Sequence, residues 1–296
     1  MISAFCSTFF HAAVQLKRLF FSFRRNCAII KDTKVRARLA EQKTKAVNAI
    51  QKNDPITVCA EPGYEAGARQ LAETLCLDLS AEPAAGALRL TLGTDGLSLG
   101  DGTVSLRGDL SALAGRIQPR RLREEYVVRA VCGKGKVGGE RVIDATAGLG
   151  EDSFLLAAAG YEVELYERHP IIAALLADSL ERAAVGGMGS IAAKMHLHRE
   201  DSIAAMQSLD YMPFAVLLDP MFPERQKSGS VKKKFQLLGR LEAPCTDEME
   251  LMNAALAAAP KKIVIKRPLH GPYLAGITPS HSYSGKSIRY DCIPGG

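Results

Sequence analysis

The feature that most constrains the fold is a regular alternation of short apolar runs with helical segments in the second half of the chain. Five runs are typical of buried strands, at 142–144, 162–166, 195–198, 214–218 and 262–266. Helical patterns separate them, near 151–159, 170–184, 201–209 and 246–259. Five strand–helix units in sequence predict a parallel sheet with helices on both faces. The stretch 276–293 lacks a helical period and predicts a closing hairpin, which puts an antiparallel strand at the end of the sheet.

A second, smaller α/β unit is predicted before this sheet. Residues 56–60 are typical of a strand and 66–79 of a helix, while 88–92 and 97–99 indicate a hairpin around a glycine turn. A further helix is expected over 122–131. We therefore predict three parts: a basic extension over 1–54 that is disordered or helical, a small α/β domain over 55–114, and the large sheet domain over 115–296.

The positive charge of the chain is concentrated at its N-terminus. Residues 1–54 contain 11 Lys and Arg against 3 acidic residues, a balance of +8; because the whole chain carries +6, the remainder carries −2. Global charge is therefore no argument that the folded part binds nucleic acid. Residues 1–30 have a basic amphipathic pattern that suits contact with a membrane surface. Their uncharged run is too short for a span, and we favour an extension outside the folded domain.

Cysteine and histidine usage excludes two kinds of site. The seven cysteines are scattered and odd in number, and no two form a C-x-x-C pair. This argues against a disulfide framework or a zinc site and indicates reduced thiols in a cytoplasmic protein. The six histidines have no metal-ligand spacing, so no metal is predicted.

The first strand of the large sheet ends in a turn of small residues, Asp144–Gly150 (DATAGLG), that leads directly into a helix. Gly148 and Gly150 let the backbone approach a ligand closely, and parallel sheets bind ligands at the carboxyl ends of their strands. The second strand ends in Glu167, 19 positions after Gly148. A carboxylate there can accept both ribose hydroxyls of an adenosine. The pattern therefore predicts an adenosine-containing cofactor.

Two such cofactors are compatible with a glycine turn and a distal acid. NAD requires G-x-G-x-x-G with its pyrophosphate on the helix N-terminus. Here Ala145 and Ala147 occupy the first two glycine positions, and the helix opens with Glu151 and Asp152, which would repel a pyrophosphate. S-adenosylmethionine has no phosphate and carries a sulfonium cation. Charge therefore favours S-adenosylmethionine, with an NAD-dependent enzyme as the alternative.

Two further strand ends carry candidate site residues. The fourth strand ends in Asp219–Pro223 (DPMFP), a rigid loop in which the Asp219 carboxylate and the Pro220 carbonyl can accept hydrogen bonds from an exocyclic base amine. Phe222 is the candidate for stacking on an extruded base; the alternative is a tight turn with a buried phenylalanine. After the third strand, Asp201-Ser202 suits either an adenine contact or a helix N-cap.

Basic residues follow two of these strand ends or lie just upstream of the sheet. A phosphate backbone would have to pass there if a base enters the site, whereas the alternative for each cluster is a solvated face. The candidate RNA contacts are Arg120, Arg121, Lys227, Lys232, Lys233, Lys266 and Arg267.

Taken in order, these motifs resemble one known family. Asp144–Gly150, Glu167–Pro170 (ERHP), Asp219–Pro223 with its trailing lysines, and Lys266–Pro268 (KRP) look like the ribosomal RNA small subunit methyltransferase J family, over about 115 to the C-terminus. The resemblance implies a Rossmann-like class I methyltransferase sheet. It also implies methyl transfer from S-adenosylmethionine to the N2 amine of a guanine in 16S ribosomal RNA.

The same resemblance implies particular partners and contacts. The cofactor would meet the residue pairs Glu151-Asp152, Glu167-Arg168 and Asp201-Ser202, together with Asp219. Glu151 stands where the family has an arginine. The partner would be small-subunit RNA or the assembling small subunit, in the cytoplasm. A non-catalytic RNA- or ribosome-binding protein with the same fold is the alternative, against which the intact Asp219–Pro223 loop argues.

Overall fold

The structure is a computed structural model that describes residues 55–133, 138–221, 230–241 and 246–295, without the side chains of 230–235. The predicted extension over 1–54 lies outside these residues, and so does its predicted membrane contact. The described chain divides into two compact units, one of 55–107 with 230–241 and one of 108–221 with 246–295. The sequence predicts the boundary between the small and large domains after residue 114, and it assigns residues 230–241 to the large domain.

Strands and helices are numbered along the described chain. The strands are β1 (Ile56–Ala60), β2 (Asp78–Leu79), β3 (Leu88–Gly93), β4 (Gly96–Gly100), β5 (Ser105–Leu106), β6 (Arg141–Asp144), β7 (Glu162–Tyr166), β8 (Met195–His198), β9 (Ala215–Leu218), β10 (Lys262–Pro268), β11 (His281–Ser284) and β12 (Ile288–Pro294). The helices are α1 (Glu65–Leu75), α2 (Pro119–Leu122), α3 (Tyr126–Cys132), α4 (Glu151–Ala158), α5 (Pro170–Ala183), α6 (Gly189–Ala192), α7 (Ser202–Met206), α8 (Ser230–Leu241) and α9 (Glu248–Ala257).

The smaller unit is built on a five-stranded sheet in the order β2-β1-β3-β4-β5. β1 runs parallel to β2 and β3, while β4 is antiparallel to β3 and β5. The predicted hairpin is confirmed, with Leu92 opposite Leu97. The helix predicted over 66–79 ends early, at Leu75, because Cys76 adopts a left-handed conformation with φ of 54°. Residues 78–79 then form β2 instead of a last helical turn.

Helix α8 is an element that the sequence did not predict. It belongs to the smaller unit and buries Leu237, Leu238 and Leu241. Arg240 secures its end, since its Nη2 donates to the carbonyl of Gly86 at 3.1 Å. Apolar residues on one helical face therefore determine its packing.

The larger unit contains a seven-stranded sheet in the order β11-β12-β10-β9-β6-β7-β8. Its strands are parallel except β12, which is antiparallel to both β10 and β11. The predicted parallel sheet and its closing hairpin are therefore confirmed. This Rossmann-like arrangement places the carboxyl ends of β7, β6, β9 and β10 side by side along one edge.

Both faces of this sheet are buried, as expected of a parallel sheet covered by helices. Val142 and Ile143 are neighbours in β6, yet each is 0% exposed and packs into a different apolar cluster. One cluster includes Phe154 and Leu155 of α4, and the other includes Met252 of α9. Buried side chains on alternate faces thus hold the strand ends in place.

Besides α1, two helices differ from their predicted bounds by more than two residues. The helix predicted over 122–131 is two short helices, α2 and α3, because Glu125 between them is extended with ψ of 128°. The helix predicted over 201–209 is shorter and ends at Met206. Neither difference moves the strand ends that carry the candidate site.

Candidate active site

Parallel neighbouring strands bring three acidic residues to one edge of the larger sheet. β6 lies between β9 and β7 and ends at Asp144, while Asp219 follows β9 and Glu167 follows β7. β10 is paired with β9 so that Ile265 lies opposite Leu218, which puts Lys266 level with Asp219. The residues that sequence reasoning assigned to separate motifs therefore lie at one edge.

Asp144 lies buried beneath the loop that it begins, with 3% of the residue exposed. Its Oδ1 accepts a hydrogen bond from the Thr146 N–H at 3.2 Å, and its Oδ2 accepts one from the Ser153 hydroxyl at 2.5 Å. Burial, helped by the nearby charges of Asp152 and Asp219, raises the pKa of its carboxyl to about 7 although both hydrogen bonds oppose the shift. Asp144 thus links the loop to α4 and titrates near neutral pH.

The two glycines of the loop, Gly148 and Gly150, have different structural roles. Gly150 has φ of 76°, and an added Cβ would lie 2.6 Å from Leu176 Cδ1, so packing also requires glycine there. Gly148 has φ of 54°, but an added Cβ would have a single neighbour, the Thr146 carbonyl oxygen at 4.0 Å. The space beside Gly148 is therefore open for a ligand.

Glu167 faces this open glycine. Its Oε2 accepts the Gly148 N–H at 3.0 Å and its Oε1 accepts the His169 N–H at 2.7 Å. The residue is 6% exposed, so both backbone donors hold the carboxylate in a defined orientation. A carboxylate held in this orientation is of the chemical type that accepts hydrogen bonds from ribose hydroxyls.

A lysine joins the start of α4 to the loop after β9. Lys266 Nζ lies 2.9 Å from Asp152 Oδ2 and 3.0 Å from Asp219 Oδ2. The Tyr290 hydroxyl also donates to Asp152, at 3.0 Å. The two carboxylates raise the pKa of Lys266, and burial together with Asp152 raises the pKa of Tyr290. Lys266 was predicted to contact RNA, but the structure engages its ammonium with two carboxylates.

Asp219 is the most exposed acid of this group, with 42% of its side chain accessible. Its backbone N–H donates to the Thr146 hydroxyl at 2.6 Å, which fastens the loop after β9 to the glycine loop. Desolvation raises the pKa of its carboxyl, and Lys266 opposes that rise. Pro220 is buried, and Phe222 lies outside the described residues.

Arg168, Asp201 and Ser202 form the far side of the site. Asp201 caps α7, since its Oδ1 accepts the Ile203 N–H at 2.8 Å, as the N-cap interpretation predicted. Arg168 Nη1 lies 3.8 Å from Asp201 Oδ2 and 3.1 Å from Asp247 Oδ2. Ser202 is buried, and Glu151 at the start of α4 is exposed. The cap uses one Asp201 oxygen and leaves the other beside Arg168.

The remaining basic candidates have different positions. Arg120 and Arg121 are exposed on α2, with 94% of the Arg120 side chain accessible. Arg267 is 1% exposed, and its Nε donates to the Pro272 carbonyl at 3.0 Å, so its position does not fit the predicted contact with RNA. Lys232 and Lys233 lie in α8, where their side chains are not described, and Lys227 lies outside the described residues.

Sequence reasoning missed Thr146 and Tyr290. Thr146 is inside the glycine loop, but only the pairing of β6 with β9 brings its hydroxyl to Asp219. Tyr290 belongs to the closing hairpin, and only the register of β12 on β10 brings it to Asp152. No local motif signals either contact, because both join segments more than 70 residues apart.

The residues at this edge fit S-adenosylmethionine. The space beside Gly148 is open and Glu167 stands next to it, as a bound adenosine requires. Asp152 and Asp219 both raise the pKa of Asp144, because their negative charges disfavour its ionised form. A sulfonium cation bound at this edge would offset that negative charge. Among the described residues, no group of three or more His, Cys, Asp or Glu side chains is arranged to hold a metal. None of the described helices has the length and apolarity to span a membrane.

Comparisons with known proteins give the same assignment. Residues 80–294 match the family model described as "Putative SAM-dependent methyltransferase". A ribosomal RNA small subunit methyltransferase J of Pseudomonas fluorescens is 42% identical over 242 residues, covering 78% of this chain and 91% of that protein. The enzyme of the same name from Thioalkalivibrio sulfidiphilus is 42% identical over 235 residues, covering 76% and 91%.

A solved structure is similar as well. The crystal structure of a SAM-dependent methyltransferase from Neisseria gonorrhoeae has a TM-score of 0.64 and 30% identity, covering 80% of this chain and 95% of that one. S-adenosylmethionine is therefore the cofactor, and the alternatives of an NAD-dependent enzyme and of a non-catalytic binding protein are set aside. The chain belongs to the SAM-dependent methyltransferase family that includes the ribosomal RNA small subunit methyltransferases J.

Proposed function

We propose that this enzyme transfers a methyl group from S-adenosylmethionine to the exocyclic N2 amine of a guanine in 16S ribosomal RNA. The observation that carries the proposal is the placement of Asp219. Its partly exposed carboxylate stands at the end of β9, tied to the glycine loop by Thr146 and to the start of α4 through Lys266. The names of the relatives support ribosomal RNA of the small subunit as the substrate.

The chemistry requires help at the base amine, because its lone pair is conjugated into the ring. When bound, S-adenosylmethionine supplies a methyl group made electrophilic by the sulfonium. Asp219 accepts one N–H hydrogen of the amine and takes the proton that leaves when nitrogen gains the methyl carbon. The raised pKa of Asp219 suits a group that must take up this proton. The Pro220 carbonyl accepts the other N–H, and Phe222 stacks on the extruded base.

The other site residues hold the cofactor in this proposal. Glu167 accepts the ribose hydroxyls beside Gly148, and Asp201, through the oxygen that does not cap α7, recognises the adenine amine together with neighbouring Ser202. Asp144, Gly150, Glu151, Asp152 and Arg168 shape or charge the surrounding edge. Asp152 and Asp219 keep the edge anionic toward the sulfonium, and Lys266 limits their mutual repulsion.

Contacts with RNA are proposed for the exposed cations Arg120 and Arg121, and for Lys227, Lys232 and Lys233. Exposed arginines can neutralise the phosphates of an RNA backbone. The substrate is either free small-subunit RNA or the assembling small subunit, in the bacterial cytoplasm. We do not extend this role to Arg267, since it is 1% exposed.

The decisive experiment is transfer of tritiated methyl from S-adenosylmethionine to small ribosomal subunits from a strain that lacks this gene. The labelled RNA is digested to nucleosides and separated. We expect label in N2-methylguanosine. Label in another nucleoside would contradict the proposed target atom, and absence of label in subunits and in free small-subunit RNA, with donor binding intact by calorimetry, would contradict the proposed substrate.

A further inference from the structure

The loop that follows β10, residues 269–276, is held by two buried arginines. Arg267 of β10 and Arg289 of β12 lie directly opposite each other and are 1% and 7% exposed. Arginine is rarely buried unless its guanidinium is paired. Two buried arginines at the base of one loop indicate that specific contacts hold the conformation of this loop.

Arg289 fastens the beginning of the loop. Its Nη1 donates to the carbonyls of Pro268 and Leu269, both at 2.7 Å. Its Nε donates to Asp291 Oδ1 at 2.9 Å, which orients the guanidinium from behind. Charge-assisted hydrogen bonds of this kind are stronger than neutral ones.

Arg267 and Glu248 fasten the end of the loop. Arg267 Nε donates to the Pro272 carbonyl at 3.0 Å, and its Nη1 lies 3.5 Å from Glu248 Oε1. The other oxygen of Glu248 accepts the Ala275 N–H at 3.3 Å, and Leu274 is 1% exposed within the core. The backbone of the loop is therefore fixed at both ends before any ligand arrives.

This fixed loop exposes one large aromatic side chain, Tyr273. It is 42% exposed, although it lies between Pro272, held by Arg267, and the buried Leu274. The Arg289 guanidinium lies 5.1 Å from the centroid of its ring. An arginine against the ring and a fixed backbone lower the conformational entropy that the ring would lose on binding.

We propose that Tyr273 is a stacking platform for an unpaired nucleobase of the RNA substrate, next to the nucleotide that is methylated. The inference rests on the proposed function. Aromatic faces bind single-stranded bases by stacking irrespective of sequence, and this loop begins at the strand edge that carries Asp219.

The base that stacks on Tyr273 is a neighbour of the target and not the target itself. Lys266, which contacts Asp219, and Arg267 are consecutive in β10 and therefore project to opposite faces of the sheet. Tyr273 lies against Arg289, which shares the face of Arg267. The platform is therefore on the other face of the sheet from the Lys266–Asp219 pair.

The chain contains no tryptophan, which permits a direct optical test. The variant Tyr273→Trp carries a single tryptophan, whose fluorescence a stacked base would quench. We expect saturable quenching by a single-stranded fragment of 16S RNA and none by S-adenosylmethionine alone. The matched control is Tyr211→Trp, because Tyr211 also lies against an arginine, with Arg141 4.3 Å from its ring, but beside the amino end of β6. Quenching of both variants alike, or of neither, overturns the proposal.

Binding and turnover separate this role from a structural one. Tyr273→Ala should raise the Kd and the KM for the RNA roughly 5-fold or more, with kcat at saturating RNA and the Kd for S-adenosylmethionine little changed. Tyr273→Phe should behave like the wild type, since it keeps the ring. If the wild type methylates ribosomal RNA and Tyr273→Ala binds it equally well, this inference alone fails. If the wild type methylates no ribosomal RNA, the proposed function fails first.

Discussion

Lys266 and Tyr290 lie directly opposite each other on β10 and β12, and both side chains contact the carboxylate of Asp152. Cross-strand partners project from the same face of a sheet, so the register of the last strand brings both groups to the start of α4. Lys266 extends the contact to Asp219 at 3.0 Å. The closing hairpin therefore helps to position the loop that carries the proposed chemistry.

Removal of the Asp219 carboxylate should lower turnover far more than it weakens cofactor binding. Asp219→Ala loses the group that accepts the amine proton, and Asp219→Asn keeps the shape without the charge. We expect kcat to fall at least about 100-fold in both variants. Methyl transfer to small subunits at saturating S-adenosylmethionine measures the loss, and calorimetry gives the Kd of each variant for S-adenosylmethionine. Normal turnover of either variant would refute the role of Asp219.

Replacement of Lys266 should shift the acidic limb of the pH profile of kcat to higher pH. Lys266 lowers the pKa of Asp219, so in Lys266→Gln that pKa rises and Asp219 becomes protonated at higher pH. Activity needs the ionised carboxylate, and therefore the acidic limb of the kcat profile should shift to higher pH. Tyr290→Phe is the matched variant, because it removes a contact with Asp152 but leaves Lys266 on Asp219. An unshifted limb in Lys266→Gln, or an equal shift in Tyr290→Phe, would contradict this account.

Cofactor binding should release protons near pH 7. The Asp144 carboxyl has a pKa raised to about 7, so the free enzyme is partly protonated there. A bound sulfonium favours the ionised form and lowers that pKa, so affinity for S-adenosylmethionine should rise as pH increases through 7 and then level off. Calorimetry at pH 7 in two buffers of different ionisation enthalpy counts the protons.

S-adenosylhomocysteine is the control ligand for this measurement, because its sulfur is uncharged. It should release fewer protons than S-adenosylmethionine does. The variant Asp144→Asn should release none from this position with either ligand. Equal proton release by the two ligands in the wild type would contradict the coupling between Asp144 and the sulfonium.

The two loop glycines should respond differently to alanine. Gly150→Ala combines φ of 76° with a contact at 2.6 Å to the buried Leu176, and should cost about 1–3 kcal/mol of unfolding free energy. Gly148→Ala has open space, so it should fold with a smaller loss but weaken cofactor binding. Gly139→Ala is the control, with φ of 88° and no atom within 4 Å of the added Cβ. Thermal unfolding and calorimetry would refute the assignment if all three variants behaved alike.

Loss of the exposed arginines on α2 should weaken RNA binding through charge alone. Without Arg120 and Arg121, the slope of log K against log salt concentration should decrease by about 2 if both contact phosphates. Turnover at saturating RNA should stay close to that of the wild type. Arg69→Ala, at an exposed arginine of the smaller unit, serves as the control. An unchanged slope in the double variant would remove α2 from the proposed RNA surface.

Much of the fold was predictable because its signals are local. The apolar runs gave the bounds of β7 and β8 without error, and the hairpin of β11 and β12 was expected from the absence of a helical period. The glycine loop and Glu167 could likewise be found, since each directly follows a strand. Cys76 shows the limit: one residue with φ of 54° ended α1 four residues early, and nothing in its sequence context signals that conformation.

The basic pair Lys266-Arg267 separates what the sequence determined from what the tertiary structure decided. The sequence alone determined the order of strands and helices, the loop chemistry at the strand ends and the acidic character of the cofactor site, because each depends on residues close together in the chain. It could not distinguish two adjacent cations. Only the position of β10 between β9 and β12 directs Lys266 to Asp152 and Asp219 and buries Arg267 beside Glu248. Strand register and the alternation of faces assigned those partners, and both depend on hydrogen bonds between segments distant in sequence.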